Sequence, residues 1–265
     1  GELCYGGIAH GWGLVLWVGV LQRLAVGYVA AGLFHLWLKP RTIAVVSAGL
    51  LVGYWALLTF VPVPGFGAGD YARGHNLANW IDVRFLPGRV WYGDYDPEGL
   101  LSTLPAIASA LSGLFAGRWL REAQLTAGDR TKRLVVAGLA LLAIGGLWSL
   151  QFPVIKRIWT SSYGLVAGGS SLLLLAAFYQ VIDVRGWRGW TPPLVWLGGN
   201  ALLIYLVSKL VDFNQVSAFL LGGEIAAGFD ALWPGLGGLV LALTGIALCT
   251  ALCGFLHARK IFLRL

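Results

Sequence analysis

The stretch Asp94-Tyr-Asp-Pro-Glu-Gly-Leu-Leu-Ser-Thr-Leu-Pro-Ala-Ile107 places three carboxylates, Asp94, Asp96 and Glu98, directly before a long apolar segment. A carboxylate is costly to carry into a bilayer, so this cluster indicates either a helix cap or a reactive site. Pro97 suits the first position of a helix, which predicts a helix that begins there with Asp96 as its N-cap. Capping does not explain the other acids. Because closely spaced carboxylates raise one another's pKa, Asp96 and Glu98 are candidates for a general base.

The composition of the chain is that of a membrane protein. Of its 265 residues, 58% are hydrophobic and 12% are charged, whereas about a quarter are charged in a typical soluble domain. Uniform apolar runs of roughly 20 residues favour spanning helices over a barrel. The sequence therefore predicts an all-α, polytopic transmembrane bundle, a single domain over 1–265, with about seven spanning segments near 14–38, 42–62, 99–119, 134–152, 162–182, 194–212 and 236–258.

The basic residues give the predicted orientation. They cluster after the first, third, fifth and seventh segments, and the positive-inside rule places these ends in the cytoplasm: Lys39, Arg41, Arg121, Arg130, Lys132, Arg133, Arg185, Arg188, Arg259, Lys260 and Arg264. We expect the first residue outside, the last in the cytoplasm, and 63–98 and 213–235 as outer loops. Because these cations are scattered between apolar segments, the net charge of +7 predicts no nucleic-acid partner.

Polar residues within or beside the apolar segments mark a candidate site. Gln22 and Arg23 lie inside the first segment, where an arginine is costly unless it is paired or wetted. Arg23 is therefore either a structural partner of a loop carboxylate or a fixed cation suited to a phosphate or a developing oxyanion. Asn200 in the sixth segment faces either a helix neighbour or the same cavity.

A run of hydroxyls opens the fifth segment, in Trp159-Thr-Ser-Ser-Tyr163. Ser161 or Ser162 can cap that helix. Together with Lys156, which the orientation places on the outer side, the run can equally form an anion or sugar pocket. The sequence leaves both interpretations open.

Several motifs, in the same order, resemble the heparan-alpha-glucosaminide N-acetyltransferase family, and most closely its bacterial branch, from about residue 10 to 210. The motifs are Gly19-Val-Leu-Gln-Arg-Leu-Ala25, Val61-Pro-Val-Pro-Gly-Phe-Gly-Ala-Gly69, Asn76-Leu-Ala-Asn-Trp-Ile-Asp82, Asp96-Pro-Glu-Gly-Leu-Leu-Ser-Thr-Leu-Pro-Ala106, and Lys156 with Trp159-Thr-Ser-Ser-Tyr163.

This resemblance implies a membrane acyltransferase that takes acetyl from acetyl-CoA on the cytosolic side and passes it to the amino group of a glucosamine on the far side. An amine that attacks a thioester must lose a proton, and the oxyanion must be stabilised, so we hypothesise that Arg23, Asp96 and Glu98 are catalytic. The substrate-binding set is then Gln22, Asn76, Lys156, Trp159, Thr160, Ser161, Ser162, Tyr163 and Asn200. The family's proposed catalytic histidine lies upstream, and no position of this chain matches it. Since the chain opens at Gly1 without a methionine, we expect a fragment or a processed product of a bacterial inner-membrane protein that lacks its first helices.

Other interpretations of the function remain open from the sequence. A transporter or flippase for a sugar or lipid-linked intermediate also needs polar groups at helix breaks, and a non-catalytic scaffold tolerates them. We predict no metal site, because the collinear Cys249, Cys253 and His257 of one helix cannot enclose an ion. Membrane lipids are expected partners, and glycine-rich helices pack either within the chain or across a homodimer.

Overall fold

The computed structural model describes residues 18–263, and this range contains helices and turns but no β-strand. The predicted all-α class is confirmed. Residues 14–17 of the first predicted segment, the first residue and Arg264 lie outside the described range, and the predicted orientation stays a prediction. The chain divides into two compact units, one extending to Val184 and the other beginning at Arg185. They are described separately, and the single domain stays a prediction.

Within residues 18–184, the first unit has six α-helices, and the last of them continues into a π-helical turn. Their bounds are α1 Val20–Trp37, α2 Pro40–Phe60, α3 Leu77–Phe85, α4 Thr103–Arg121, α5 Ala127–Trp148 and α6 Ser161–Phe178, followed by the π-turn Tyr179–Val184. Residues in the first turn determine where several of these helices begin. Pro40 occupies the first turn of α2, where its missing N–H is not needed. Thr126 and Asp129 form a reciprocal capping box at α5.

Within residues 185–263, the second unit has five helices, α7 Pro192–Gly199, α8 Ala201–Leu210, α9 Phe213–Leu221, α10 Glu224–Leu232 and α11 Leu236–Ala258. α7 and α8 meet at Asn200 with a bend of 72°. The outer loop predicted at 213–235 is wrong in detail, because α9 and α10 fill it. α9 begins where the Asp212 carboxylate accepts the N–H groups of the first turn, a cap that composition alone does not reveal.

The membrane-spanning character of the fold is confirmed by the long helices. Within residues 18–263, α1, α2, α5, α6 with its π-turn, and α11 are long and apolar enough to cross a membrane, and the bent pair α7–α8 makes a sixth candidate. α4 fills the third predicted segment, but it is not among these candidates. Only a minority of residues in the five spans is buried inside the protein, as expected for helices whose other faces contact lipid.

Close glycine contacts hold α5 against α6. A Cβ atom added at Gly145 would lie 2.9 Å from the Leu165 Cβ and 3.0 Å from the Val166 backbone nitrogen. The same atom at the neighbouring Gly146 meets nothing within 4 Å. Small residues at such a crossing allow the two backbones to approach, which is the usual basis of helix association in membranes.

These two adjacent glycines give a matched test of the crossing. We expect Gly145→Ala to lower the free energy of unfolding by about 1–3 kcal/mol, because the new methyl group overpacks against rigid atoms of α6. Gly146→Ala is the control, and removal of a helical glycine there should be neutral or stabilising by about 0.5–1 kcal/mol. Thermal unfolding in detergent measures both. Equal effects of the two substitutions would contradict this packing.

Candidate active site

Arg23 lies at the centre of the candidate site, near the start of α1. Its guanidinium donates to the Ser102 hydroxyl, which lies in the turn before α4. The same guanidinium lies 5.2 Å from the centroid of the Trp159 ring, in the turn before α6. An arginine in a spanning helix requires such partners, since an unpaired cation in the bilayer is costly. Arg23 therefore joins three separate parts of the chain.

Three carboxylates balance the charge of Arg23. The guanidinium is attracted by Glu98, Asp96 and Asp82, with the strongest of these attractions from Glu98. Two of these residues were predicted as catalytic from the sequence, and the structure brings them to Arg23. Asp94 instead forms a bidentate ion pair with Arg73, with both N–O distances 2.7 Å, and this pairing lowers the pKa of the Asp94 carboxyl.

Asp96 is buried in a turn and does not cap a helix. Its carboxylate accepts the Glu98 N–H at 2.9 Å and the Trp91 N–H at 3.1 Å. The predicted cap at Asp96 is wrong, because α4 begins only at Thr103. The Ser102 and Thr103 hydroxyls both donate back to the Gly99 carbonyl, at 3.1 and 2.9 Å. Local bonds of this kind compete with helix formation and delay its start.

Asp82 is a third acid of the site that the sequence did not single out. It lies on α3, is 1% exposed, and accepts the Leu100 N–H at 2.9 Å. A Cβ atom at Gly99 would lie 1.9 Å from its carboxylate oxygen, so only glycine fits there. Burial raises the pKa of Asp82 to about 7. The sequence did contain one indication of this acid, because the i, i+3 spacing of Asn79 and Asp82 puts both side chains on one helix face.

The turn before α6 presents the ring of Trp159 to Arg23. Trp159 has φ of 50°, a left-handed conformation that costs a bulky residue on the order of 1 kcal/mol or more. Its indole N–H donates to the Ser109 hydroxyl at 3.2 Å, and Tyr163 packs edge-on against its ring at 5.2 Å. The Tyr54 hydroxyl donates to the Ile158 carbonyl and fixes the same turn to α2.

The hydroxyl run after Trp159 is buried and engaged with the backbone. Thr160, and neither Ser161 nor Ser162, is the N-cap of α6. The Ser161 hydroxyl donates to the Leu51 carbonyl at 2.7 Å, and the Ser162 hydroxyl donates to the Pro153 carbonyl at 3.1 Å. All three hydroxyls therefore hold the turn in place, and their contact with a substrate stays a prediction.

The remaining predicted residues have other surroundings. Gln22 and Lys156 are exposed. Asn76 is buried as the N-cap of α3, where it accepts the Asn79 N–H at 3.0 Å. Asn200 belongs to the other unit, where its side-chain oxygen accepts the Leu263 N–H at 3.4 Å and its buried amide nitrogen has no partner within the described residues. Across residues 18–263, no cluster of three His, Cys, Asp or Glu residues is arranged to hold a metal.

A groove of about 440 Å³ leads along α2, α4, α5 and α6 towards the Trp159 turn. Its lining is apolar except for Ser47, Ser109 and Ser112, and it ends at Trp119. A wider opening of about 830 Å³ shares Phe115 and Trp119 with the groove. That opening is lined by His35, Pro40, Leu114, Phe115, Gly117, Arg118, Trp119, Arg121 and Glu122.

The raised pKa of Asp82 predicts a pH-dependent stability. Because the folded pKa, about 7, exceeds the unfolded value, the folded state binds the proton more tightly. The free-energy cost of ionising the buried Asp82 carboxyl in the folded state is absent below about pH 4, and it grows as the pH rises to about 7. Asp82→Asn keeps the acceptor for Leu100 and cannot ionise, so its unfolding free energy should exceed that of the wild type by about 2–4 kcal/mol above pH 7 and match it near pH 4.

Asp129→Asn is the matched control for this pH series. Asp129 is exposed, and its hydrogen bonds to Thr126 lower its pKa, so its contribution is lost only as pH falls below its unfolded value. The difference between Asp129→Asn and wild type should stay constant from pH 5 to 8. Denaturant titrations in detergent measure both series, and a flat difference for Asp82→Asn would refute a protonated Asp82.

Two known proteins are similar to this chain over most of its length. The heparan-alpha-glucosaminide N-acetyltransferase of Homo sapiens is 31% identical over 76% of the chain, and the protein of the same name of Mus musculus is 27% identical over 76%. The chain spans 38% of the length of each relative. No family model matches. The resemblance read from the motifs is confirmed: the chain is a membrane-protein homologue, over three quarters of its length, of proteins named heparan-alpha-glucosaminide N-acetyltransferase.

Proposed function

We propose that this membrane protein is an N-acetyltransferase that moves the acetyl group of acetyl-CoA to the amino group of a glucosamine-type sugar or glycan. The homologues carry that activity in their names. The proposed location is the inner membrane of a bacterium, with membrane lipids around the spans. The observation that carries the proposal is the cation Arg23, placed among three carboxylates beside the turn that the long groove approaches.

The groove and its wide opening fit the two parts of acetyl-CoA. Arg118 and Arg121 line the opening, and this is the end that the basic residues predict to be cytoplasmic. Arginines bind phosphates through charge-assisted hydrogen bonds, and the half-buried Trp119 in the same lining offers an aromatic surface for the adenine. The narrow, mainly apolar groove then accommodates the pantetheine arm, with the Ser109 and Ser112 hydroxyls as its polar points.

The chemistry at Arg23 is amine attack on a thioester. The amino group must be neutral to attack, so a base first takes a proton from the ammonium form. We assign this role to Glu98, because it is the acid that attracts Arg23 most strongly. The amine nitrogen then bonds to the acetyl carbon, and Arg23 stabilises the oxyanion. As the carbon–sulfur bond breaks, the amine nitrogen gives its second proton to the departing sulfur, so the products are the N-acetyl amide and the thiol of coenzyme A, and Glu98 returns the first proton to water.

A transporter or flippase remains the second candidate, and one observation favours it. α7 and α8 form a helix broken at a buried asparagine, Asn200, with a 72° bend. Broken helices with polar residues at the break form substrate sites in transporters. Saturable binding of acetyl-CoA separates the two functions, because a sugar transporter has no use for it.

Acetyl transfer is the direct test of the proposal. Membranes containing the full-length protein receive acetyl-CoA with an isotope-labelled acetyl group, and glucosamine is the acceptor. We expect label in the amide of N-acetylglucosamine, measured by mass spectrometry. Membranes without the protein are the control. The absence of both acetyl transfer and saturable acetyl-CoA binding would refute the acetyltransferase and favour the transporter.

Arg23 should be essential for turnover. We expect Arg23→Ala in the full-length protein to lower kcat by about 10²–10³-fold, as for the loss of one oxyanion donor. Arg23→Lys should recover only part, because an ammonium lacks the fork that reaches Ser102 and stacks on Trp159. Arg89→Ala, an exposed arginine of the outer loop, is the control. Equal kcat values for Arg23→Ala and the wild type would show that Arg23 has no catalytic role. A monodisperse elution profile in detergent checks that each variant is folded.

A further inference from the structure

A groove lies on the face of α5 that points away from α6. On the opposite face, Gly138 and Gly145 pack against α6, whereas Val136 and Ala140 are exposed. α5 packs mainly against α6 and little against α4, which leaves room for the groove. Its volume is about 500 Å³, and we call it the α5 slot. Its lining includes Trp119, Asp129, Lys132, Arg133, Val136 and Ala140.

The lining residues change character in a fixed order along α5. Asp129 comes first, Lys132 and Arg133 follow one turn later, and the apolar residues from Val136 to Ala140 come after them. At a rise of 1.5 Å per residue, the cations lie about 4.5–6 Å beyond the acid along the helix axis, and the apolar part extends about 10 Å further. Negative charge, positive charge and apolar surface therefore follow one another from the predicted cytoplasmic end into the predicted span.

The two cations of the slot have donors to offer. Lys132 is exposed, and among residues 18–263 its ammonium takes part in no ion pair. Arg133 donates from one guanidinium nitrogen to the Glu122 carboxylate at 3.2 Å, and a guanidinium has five N–H donors. Cations at the end of a spanning helix attract lipid phosphates, so this part of the slot suits a phosphate group.

The acid of the slot decides which phosphate-bearing ligand fits. One oxygen of Asp129 accepts the Thr126 N–H at 3.3 Å and the Thr126 hydroxyl at 2.6 Å. Its second oxygen accepts no hydrogen bond within the described part of the chain. A ligand with negative charge alone is repelled by this carboxylate, whereas a ligand that carries an ammonium next to its phosphate is attracted at both ends.

The deeper part of the slot has the character of a lipid contact. Val136 is 57% exposed within a helix long and apolar enough to cross a membrane, so lipid covers it in a bilayer. Trp119 borders the slot from α4, and tryptophan is enriched where a span meets the headgroup region. Trp119 and Ala140 also line the long apolar groove, whereas the three charged residues of the slot line neither that groove nor its wide opening.

We propose that the α5 slot binds one molecule of a zwitterionic phospholipid with a primary ammonium, of the phosphatidylethanolamine class. In such a lipid, two carbon atoms separate the ammonium from the phosphate, and the acyl chains follow the phosphate. This is the order of complementary groups along α5. The phosphate binds Lys132 and Arg133, the ammonium donates to Asp129, and one acyl chain lies along the apolar residues. The site does not depend on acetyl transfer.

Lipid binding to the full-length protein, delipidated in detergent, tests the proposal. The probes are three phospholipids with the same palmitoyl and oleoyl chains and different headgroups. Ethanolamine carries a primary ammonium, choline carries a quaternary ammonium without N–H groups, and glycerol carries no cation. Native mass spectrometry measures the fraction of protein bound at each lipid concentration. We expect the ethanolamine lipid to bind at least about fivefold more tightly than the other two, as for one partly exposed charge pair.

Two substitutions test the two headgroup contacts separately. Asp129→Asn keeps an acceptor for Thr126, and it should remove the preference for ethanolamine. Lys132→Gln should weaken the ethanolamine and glycerol lipids by the same factor, about fivefold, because both carry the phosphate. Lys39→Gln is the matched control, since Lys39 is an exposed lysine on the same predicted side that does not line the slot. It should leave all three affinities unchanged.

Several outcomes would overturn the proposal. Equal or tighter binding of the glycerol lipid by the wild type would assign the slot to anionic lipids instead. Equal binding of the choline lipid would show that no ammonium N–H group is recognised. A preference for ethanolamine that persists in Asp129→Asn, or a loss of affinity in Lys39→Gln as large as that in Lys132→Gln, would place the bound lipid elsewhere. Melting temperatures measured without lipid check that each variant is folded.

Discussion

The attachment of Arg23 to Ser102 and Trp159 is the interaction on which the site depends. A guanidinium inside a spanning helix is stable only where donors, aromatic faces and carboxylates surround it. Those partners come from the turn before α4 and from the turn before α6. The charge of one residue therefore joins α1 to the turns that precede two other helices.

The outer loop is as much a part of this arrangement as the helices. Asp82 on α3 and Asp96 in the following turn bind backbone N–H groups around Leu100 and Glu98, so the loop is folded by its own carboxylates. Gly99 is pressed against Asp82 with no room for a side chain. The same carboxylates set the electrostatic field at Arg23, which means that loop structure and site chemistry cannot be changed independently.

Much of the helical architecture was predictable, because uniform apolar runs of spanning length leave few alternatives. The short helices α9 and α10 were missed, since nine residues carry too little periodic signal. At the site, Arg23 and Glu98 stood out as charges near apolar segments. Asp82 did not, because its importance comes from burial. The role of Ser161 could not be read from sequence either, since its acceptor, the Leu51 carbonyl, lies 110 residues away.

Arg23 and Ser102 lie 79 residues apart in the sequence, and this separation affects how the protein is inserted into the membrane during its synthesis. Synthesis runs from the N-terminus, so α1 leaves the ribosome before its partner exists. α1 packs mainly against α4 and little against α2, which follows it directly. In the nascent chain, the Arg23 guanidinium must then stay in contact with water, at the membrane surface or in the insertion channel, until α4 has been synthesised. Stable lateral release of α1 into lipid is thereby coupled to translation of the outer loop.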